Sequence, residues 1–138
     1  MNQHRFSYRV PLYEVDMGQA VYHGSYYHIF ELGREAFLRD LGFGYPELVA
    51  RRMHLAIVEA HCRYRQPVRY DDEVEILTTV AQVKRRGVKF EQRLVKTDTG
   101  QVATEVHLTM VCITFEGKAV PLPEELRARL LKWQDSSK

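Results

Sequence analysis

At 138 residues, with 20 basic against 18 acidic side chains and a net charge of +2, the chain has the length of one domain, enough to bury a real core and too little for a second. That near balance speaks against a nucleic-acid-binding surface, which needs a concentrated basic face. Residues 1–10 lack the apolar stretch of a signal peptide and no later segment approaches a membrane span, so a cytoplasmic protein that is not membrane-embedded is expected.

In chain order, a first strand is expected over residues 5–13 and a helix over residues 24–41. Tyr26, Phe30, Gly33, Phe37 and Leu41 recur there at helical spacing, and Tyr27, Ile29, Leu32, Ala36 and Leu38 widen the apolar surface beyond one stripe. Gly42 supplies a stop, and Gly44-Tyr45-Pro46 reads as a turn. From Met53 the period changes to two and predicts a long strand through Tyr64. Asp71-Asp72 marks a turn, and strands follow over residues 74–85, 88–97 and 101–115, with Asp98-Thr99-Gly100 as a hairpin connection. After Pro121 and Pro123 a short helix carries Leu126, Leu130 and Trp133 on one side, and residues 134–138 read as a disordered tail beyond a single domain of residues 1–133. One apolar helix with about five antiparallel strands defines an α+β fold in which the sheet curls around the helix.

The chemistry concentrates in Tyr13-Glu14-Val15-Asp16-Met17-Gly18-Gln19-Ala20-Val21-Tyr22-His23-Gly24. Asp16 stands just upstream of the helix start, where unpaired N–H groups carry the positive end of the helix dipole. Those amides can hold a carbonyl oxygen as it gains negative charge, while Asp16 serves as nucleophile or as base for a water. An Asp at a helix entry is also a common turn former. Cys62 and Cys112 have neither metal-ligand nor disulfide spacing and read as small buried residues, and His23 and His28, five apart, do not make a helical zinc pair.

This run resembles the signature of the 4-hydroxybenzoyl-CoA thioesterase family, hotdog-fold hydrolases of acyl-CoA thioesters. The matching residues are Asp16, Val21-Tyr22-His23, Tyr26 and Glu31-Leu32-Gly33-Arg34. The family's glycine three residues after the Asp is replaced by Gln19, with Gly18 one place early. The similarity extends more loosely over Arg65-Gln66-Pro67-Val68-Arg69-Tyr70-Asp71-Asp72 and Lys84-Arg85-Arg86.

The resemblance implies a hotdog fold and acyl-CoA hydrolysis without a cofactor, coenzyme A being part of the substrate. Asp16 is then the catalytic carboxylate and the backbone N–H of His23 polarises the thioester carbonyl. Glu31 is the alternative carboxylate, since a second branch of hotdog thioesterases uses one on the helix; its competing role is an ion pair with Arg34. Tyr22 and Tyr26 are candidates for the acyl pocket, and Arg85, Arg86 and Lys89 for the phosphates of coenzyme A. Hydrolysis of acyl groups on acyl carrier protein and non-catalytic acyl-CoA binding are the alternatives. A homodimer or a homotetramer of dimers is expected, on the ground that the helix carries more apolar surface than one sheet can cover.

Overall fold

The computed structural model describes residues 2–134. Five antiparallel strands, β1 (Gln3–Arg9), β2 (Met53–Tyr64), β3 (Glu73–Val83), β4 (Gly87–Lys96) and β5 (Val102–Thr114), form one sheet in the order β1-β3-β4-β5-β2. Helix α1 (Tyr26–Asp40) lies along one face, joined to β2 by the short helix α2 (Tyr45–Ala50), and α3 (Glu124–Trp133) closes one end.

The α+β architecture read from the sequence is the one observed, with three local differences. β1 stops at Arg9, because Pro11 cannot donate to a strand partner; residues Leu12–Glu14 form a 3-10 turn instead. Helix α1 is preceded by a separate 3-10 turn, His23–Ser25. The Gly44-Tyr45-Pro46 turn is the entry of α2, with Pro46 in its first turn, where a missing N–H costs nothing. Within the expected tail, Gln134 accepts a hydrogen bond from Val83 N–H at 3.0 Å, and residues 135–138 lie outside the described residues.

Strand β2 spans the expected residues, but not in one phase. A bulge between Ile57 and Glu59 leaves Val58 unpaired against β5, so Leu55 and Ile57 share the helix-facing side with Ala60, Cys62 and Tyr64. Without that extra residue, one of the two sets would face away from the helix.

Two apolar clusters fill the space between α1 and the sheet. Phe37, Val80, Phe90, Leu126 and Leu130 pack under the C-terminal half of the helix. Ile29, Phe30, Ile76, Leu94 and Leu108 pack under its N-terminal half. Gly33 sits where they meet. A Cβ there would stand 2.5 Å from Ile76 Cγ2, so only glycine lets the helix approach this closely. Beside it, Gln92 is fully buried and fully used: its amide donates to Phe30 O and Thr78 Oγ1 and its oxygen accepts from Arg34, all at 3.0 Å. At the far end His4 Nε2 lies 2.8 Å from Asp40 Oδ2, and Arg129 donates to Leu41 O, satisfying a carbonyl the helix end leaves open.

The outer side of α1 carries His28, Glu31, Glu35 and Arg39, with Leu32 the main apolar residue left open to solvent. The apolar surplus expected from the sequence is therefore absorbed within one protomer, by the sheet beneath and by α2 and α3 at the flanks. Exposed apolar side chains stand instead on the loop before the helix, at Leu12, Tyr13 and Met17, and on β2, at Ile57, Val58 and Tyr64, among others.

Substituting Gly33→Ala tests the close approach. Helix propensity alone favours alanine by about 1 kcal/mol, whereas forcing a methyl into a filled contact costs about 1–3 kcal/mol. Urea denaturation should therefore report a net loss of stability; a gain would mean that α1 is free to rise from the sheet.

Candidate active site

Asp16 begins a tight reversal closed by the bridge between Val15 and Val21 and tied to the chain before β3 by the bridge between Ala20 and Arg69. Its N–H donates to Ala20 O, and Gln19 N–H returns to Asp16 O, both at 3.0 Å. One carboxylate oxygen, Oδ1, accepts Gly18 N–H at 2.8 Å, the self-bonding that makes Asp a turn former, and Oδ2 has no hydrogen bond among the described residues. Gln19 has φ 65°, the left-handed region that glycine enters freely. The departure from the family pattern thus leaves the turn intact: Gln19 takes the conformation for which glycine is suited.

Three residues on from the reversal the chain enters the 3-10 turn. Tyr22 N–H donates to Glu14 O at 3.0 Å and Ser25 N–H to Tyr22 O at 2.8 Å. Among the described residues the N–H groups of His23 and Gly24 have no backbone acceptor, which makes them the open donors at the positive end of α1. Asp16 and the His23 amide belong to one reversal of the chain, Asp16 at its turn and His23 just past the arm that pairs with Glu14 and Val15. Tyr64, at the end of β2, donates its hydroxyl to His23 O at 3.0 Å.

Two carboxylates besides Asp16 belong to the neighbourhood. Glu14 is buried with its Oε1 3.8 Å from His28 Nδ1, so it links the turn before Asp16 to the first turn of α1. Glu31 is exposed, about 12 Å along the helix from His23 at 1.5 Å per residue. It lines a different feature, a cleft of about 520 Å³ bounded by Arg34, Leu38, Leu48, Leu55 and Met110, to which Asp16 does not contribute. The expected Glu31–Arg34 ion pair is not the contact that forms. Arg34 is buried and turns inward to Gln92; burial lowers the pKa of its guanidinium, and the nearby charge of Glu31 partly offsets this.

Of the two candidate pocket tyrosines, Tyr22 is half exposed with its ring 4.3 Å from the His23 imidazole, at the mouth of the loop. Tyr26 is a core residue. Its hydroxyl accepts Val68 N–H at 3.2 Å and its ring meets Tyr64 edge-on, centroids 5.2 Å apart. Burial raises its pKa, and the charge of Asp16 acts in the same direction.

The basic residues stand elsewhere. Lys84, Arg85 and Arg86 form the exposed β3–β4 turn, and Lys89 lies just inside β4. Nine residues of strand separate Val74, near the Asp16 loop, from Val83, a span of about 30 Å. Within one protomer the cluster does not meet Asp16. The ion pairs of the sheet go to Arg5, Arg9, Arg65 and Arg93 and, among the described residues, none goes to this cluster.

Sequence reasoning passed over Glu14, Tyr64 and Gln92, although Glu14 stands within the quoted motif. A buried glutamate two residues before Asp16 had no periodic signal; Tyr64 reaches His23, and Gln92 the middle of α1, only through the folded sheet.

A five-stranded antiparallel sheet laid against one long helix is the hotdog architecture. Residues 10–130 match the model of the thioesterase-like superfamily, and the chain belongs to that family. It is 30% identical over 131 residues to the acyl-CoA thioester hydrolase YbgC of Escherichia coli, covering 93% of this chain and 97% of that one. Identity to the acyl-CoA thioesterase YbgC of Haemophilus influenzae is also 30%, over 127 residues, 89% of this chain and 92% of the other. Among solved structures, the gentisyl-coenzyme A thioesterase BH1999 superposes with a TM-score of 0.82 at 28% identity, over 89% of this chain and 98% of that one.

The left-handed residue of the loop yields a stability prediction. Gln19→Gly relieves a conformation that costs an ordinary residue about 1–2 kcal/mol, against the greater freedom glycine gives the unfolded chain, for a net gain of about 0.5–1 kcal/mol. A raised melting temperature by calorimetry checks it; a lowered one would mean that the Gln19 side chain holds the loop.

Proposed function

We propose that this protein hydrolyses acyl-CoA thioesters to the free acid and coenzyme A, with the reacting carbonyl held between Asp16 and the open amides at the start of α1. The reading is supported by one reversal that carries both a carboxylate with one oxygen unbonded and the N–H groups of His23 and Gly24, which have no backbone acceptor among the described residues. As a nucleophile attacks the carbonyl carbon, the oxygen becomes an oxyanion, and donors already fixed by the turn stabilise it without reorganisation. Two routes share this geometry. In one, Asp16 attacks, the thiolate of coenzyme A leaves and takes a proton, and water cleaves the mixed anhydride; in the other, Asp16 takes a proton from water, which attacks directly. Either consumes one water and needs no further cofactor.

The catalytic unit in this reading is a homodimer joined along β2, two such dimers giving a tetramer. β2 is an edge strand of 12 residues whose outer backbone groups have no backbone partner among the described residues, and it carries the exposed Ile57, Val58 and Tyr64. A two-fold axis makes such pairing antiparallel, so full overlap lays the partner's Tyr64 beside Met53. The basic turn is level with that end of β2: Gly87 pairs with Val111, which pairs with Ala56, and Arg86 O accepts Cys112 N–H. Pairing in this register brings Arg85 and Arg86 of one protomer toward the loop of Asp16 and His23 in the other, where they serve the phosphates of coenzyme A. The same exposed cations suit the acidic surface of an acyl carrier protein, and competition by free coenzyme A separates the two donors. No helix among the described residues is long and apolar enough to cross a membrane, in keeping with the proposed cytoplasmic location.

Asp16→Asn should lower turnover by roughly two or more orders of magnitude with substrate still bound, and Glu31→Gln should cost far less. The opposite ranking, followed by thiol release, would move the chemistry to the cleft beside Glu31. Dimer geometry predicts complementation. An equal mixture of Asp16→Asn protomers with Arg85→Ala/Arg86→Ala protomers, after subunit exchange, contains half heterodimers with one intact site each. It should regain about a quarter of wild-type activity at low substrate. No recovery after demonstrated exchange would place both groups in one protomer's site.

A further inference from the structure

Among the described residues the loop of open amides accepts one side-chain hydrogen bond from outside its own segment, and that bond falls on a particular peptide group. Tyr64 donates to His23 O at 3.0 Å, and the His23 carbonyl shares its amide plane with the N–H of Gly24. A donor on the oxygen draws electron density through the amide and makes its N–H a stronger donor in turn, the cooperativity of hydrogen-bonded chains. We propose that Tyr64 is a positioning residue for thioester hydrolysis: it pins the helix-entry turn and polarises Gly24 N–H as a second donor, beside that of His23, to the oxyanion. The inference rests on the acyl-CoA reading above.

Three features fit Tyr64 to this task. Its ring is held edge-on to Tyr26, at 66° between planes, and Tyr26 is itself tied to Val68 N–H, so the hydroxyl is aimed from the rigid end of a strand. Burial and the neighbouring Cys62, Tyr27 and Tyr26 raise the pKa of the Tyr64 phenol, so it keeps its proton and remains a donor. Burial also raises the Cys62 thiol, partly offset by its contacts with the Tyr64 and Tyr27 hydroxyls, so it stands beside the Tyr64 hydroxyl as a thiol, a weaker acceptor than the His23 carbonyl. At the receiving end, a Cβ on Gly24 would meet the Tyr22 ring at 3.0 Å, so glycine leaves the approach to this amide open.

Tyr64→Phe keeps the ring and its contact with Tyr26 and removes only the donor. With an acyl-CoA substrate, kcat should fall about three- to ten-fold while KM stays within about two-fold, the pattern of an interaction made mainly in the transition state. The direct readout is the infrared stretch of an isotope-labelled thioester carbonyl bound to the Asp16→Asn protein. Its shift to lower frequency should shrink when Tyr64→Phe is added, and grow when Tyr64 is replaced by 3-fluorotyrosine, a stronger donor of the same shape. An unchanged kcat, an unchanged carbonyl frequency, or equal losses in kcat and KM with a lowered melting temperature would each overturn the polarising role. Should Tyr64→Phe fail to fold, the fluorotyrosine protein decides, and a carbonyl frequency equal to that of the parent rejects the proposal. A wild-type protein with no acyl-CoA turnover would sink the thioesterase reading itself, whereas an active wild type matched by Tyr64→Phe sinks this inference alone.

Discussion

The contact of α1 with the sheet at Gly33 is the constraint on which the other features depend. A helix end can serve as an oxyanion site only if it stays where the carboxylate is, and the bare glycine against Ile76 lets α1 lie close enough to be locked. Gln92 adds direction to this packing: by bonding Phe30 O, Thr78 and Arg34 it fixes the helix along its axis as well as against the sheet. Apolar packing is non-directional, whereas a buried polar network that is fully satisfied specifies one arrangement. The entry turn inherits that precision through the residues just ahead of it.

Asp16 serves two demands at once. One oxygen shapes the loop through Gly18 N–H, and in the proposed reaction the other meets the substrate, so the bond that makes Asp16 a turn former also orients it. The buried Glu14 and the 3-10 turn before it hold the loop from behind, through Tyr22 N–H and His28. At the opposite end of the sheet, about 30 Å away by strand length, the basic turn carries cations that form no ion pair among the described residues. The antiparallel topology explains both facts, since the β3–β4 turn and the approach to β3 lie at opposite ends of the sheet. In the proposed dimer, two-fold pairing along β2 brings those ends together.

Much of this was legible in the sequence because periodicity reports burial directly. The period-two run from Met53 to Tyr64 is the strand β2 with the same limits, and the apolar spacing of α1 marks its core-facing residues. Periodicity failed where a local irregularity outweighed it. Pro11 ended β1 within an aromatic-rich run, α2 was too short to show a period, and the bulge at Val58 changed phase within a strand whose residues still alternated. Counting apolar positions overstated the exposed surface of α1, because spacing shows which residues are apolar and not how many elements share in covering them. Tyr64 was invisible for a different reason: 41 positions separate it from His23, and only the folded sheet brings it to the helix entry.

The account turns on where the reacting carbonyl sits. A crystal structure of the Asp16→Asn protein with an intact acyl-CoA thioester tests this most directly. The carbonyl oxygen is predicted to lie about 3 Å from the N–H groups of His23 and Gly24, its carbon facing residue 16 and the phosphates of coenzyme A on Arg85 and Arg86 of the partner subunit. A thioester bound with its carbonyl beside Glu31 and Arg34, away from the helix entry, would contradict it.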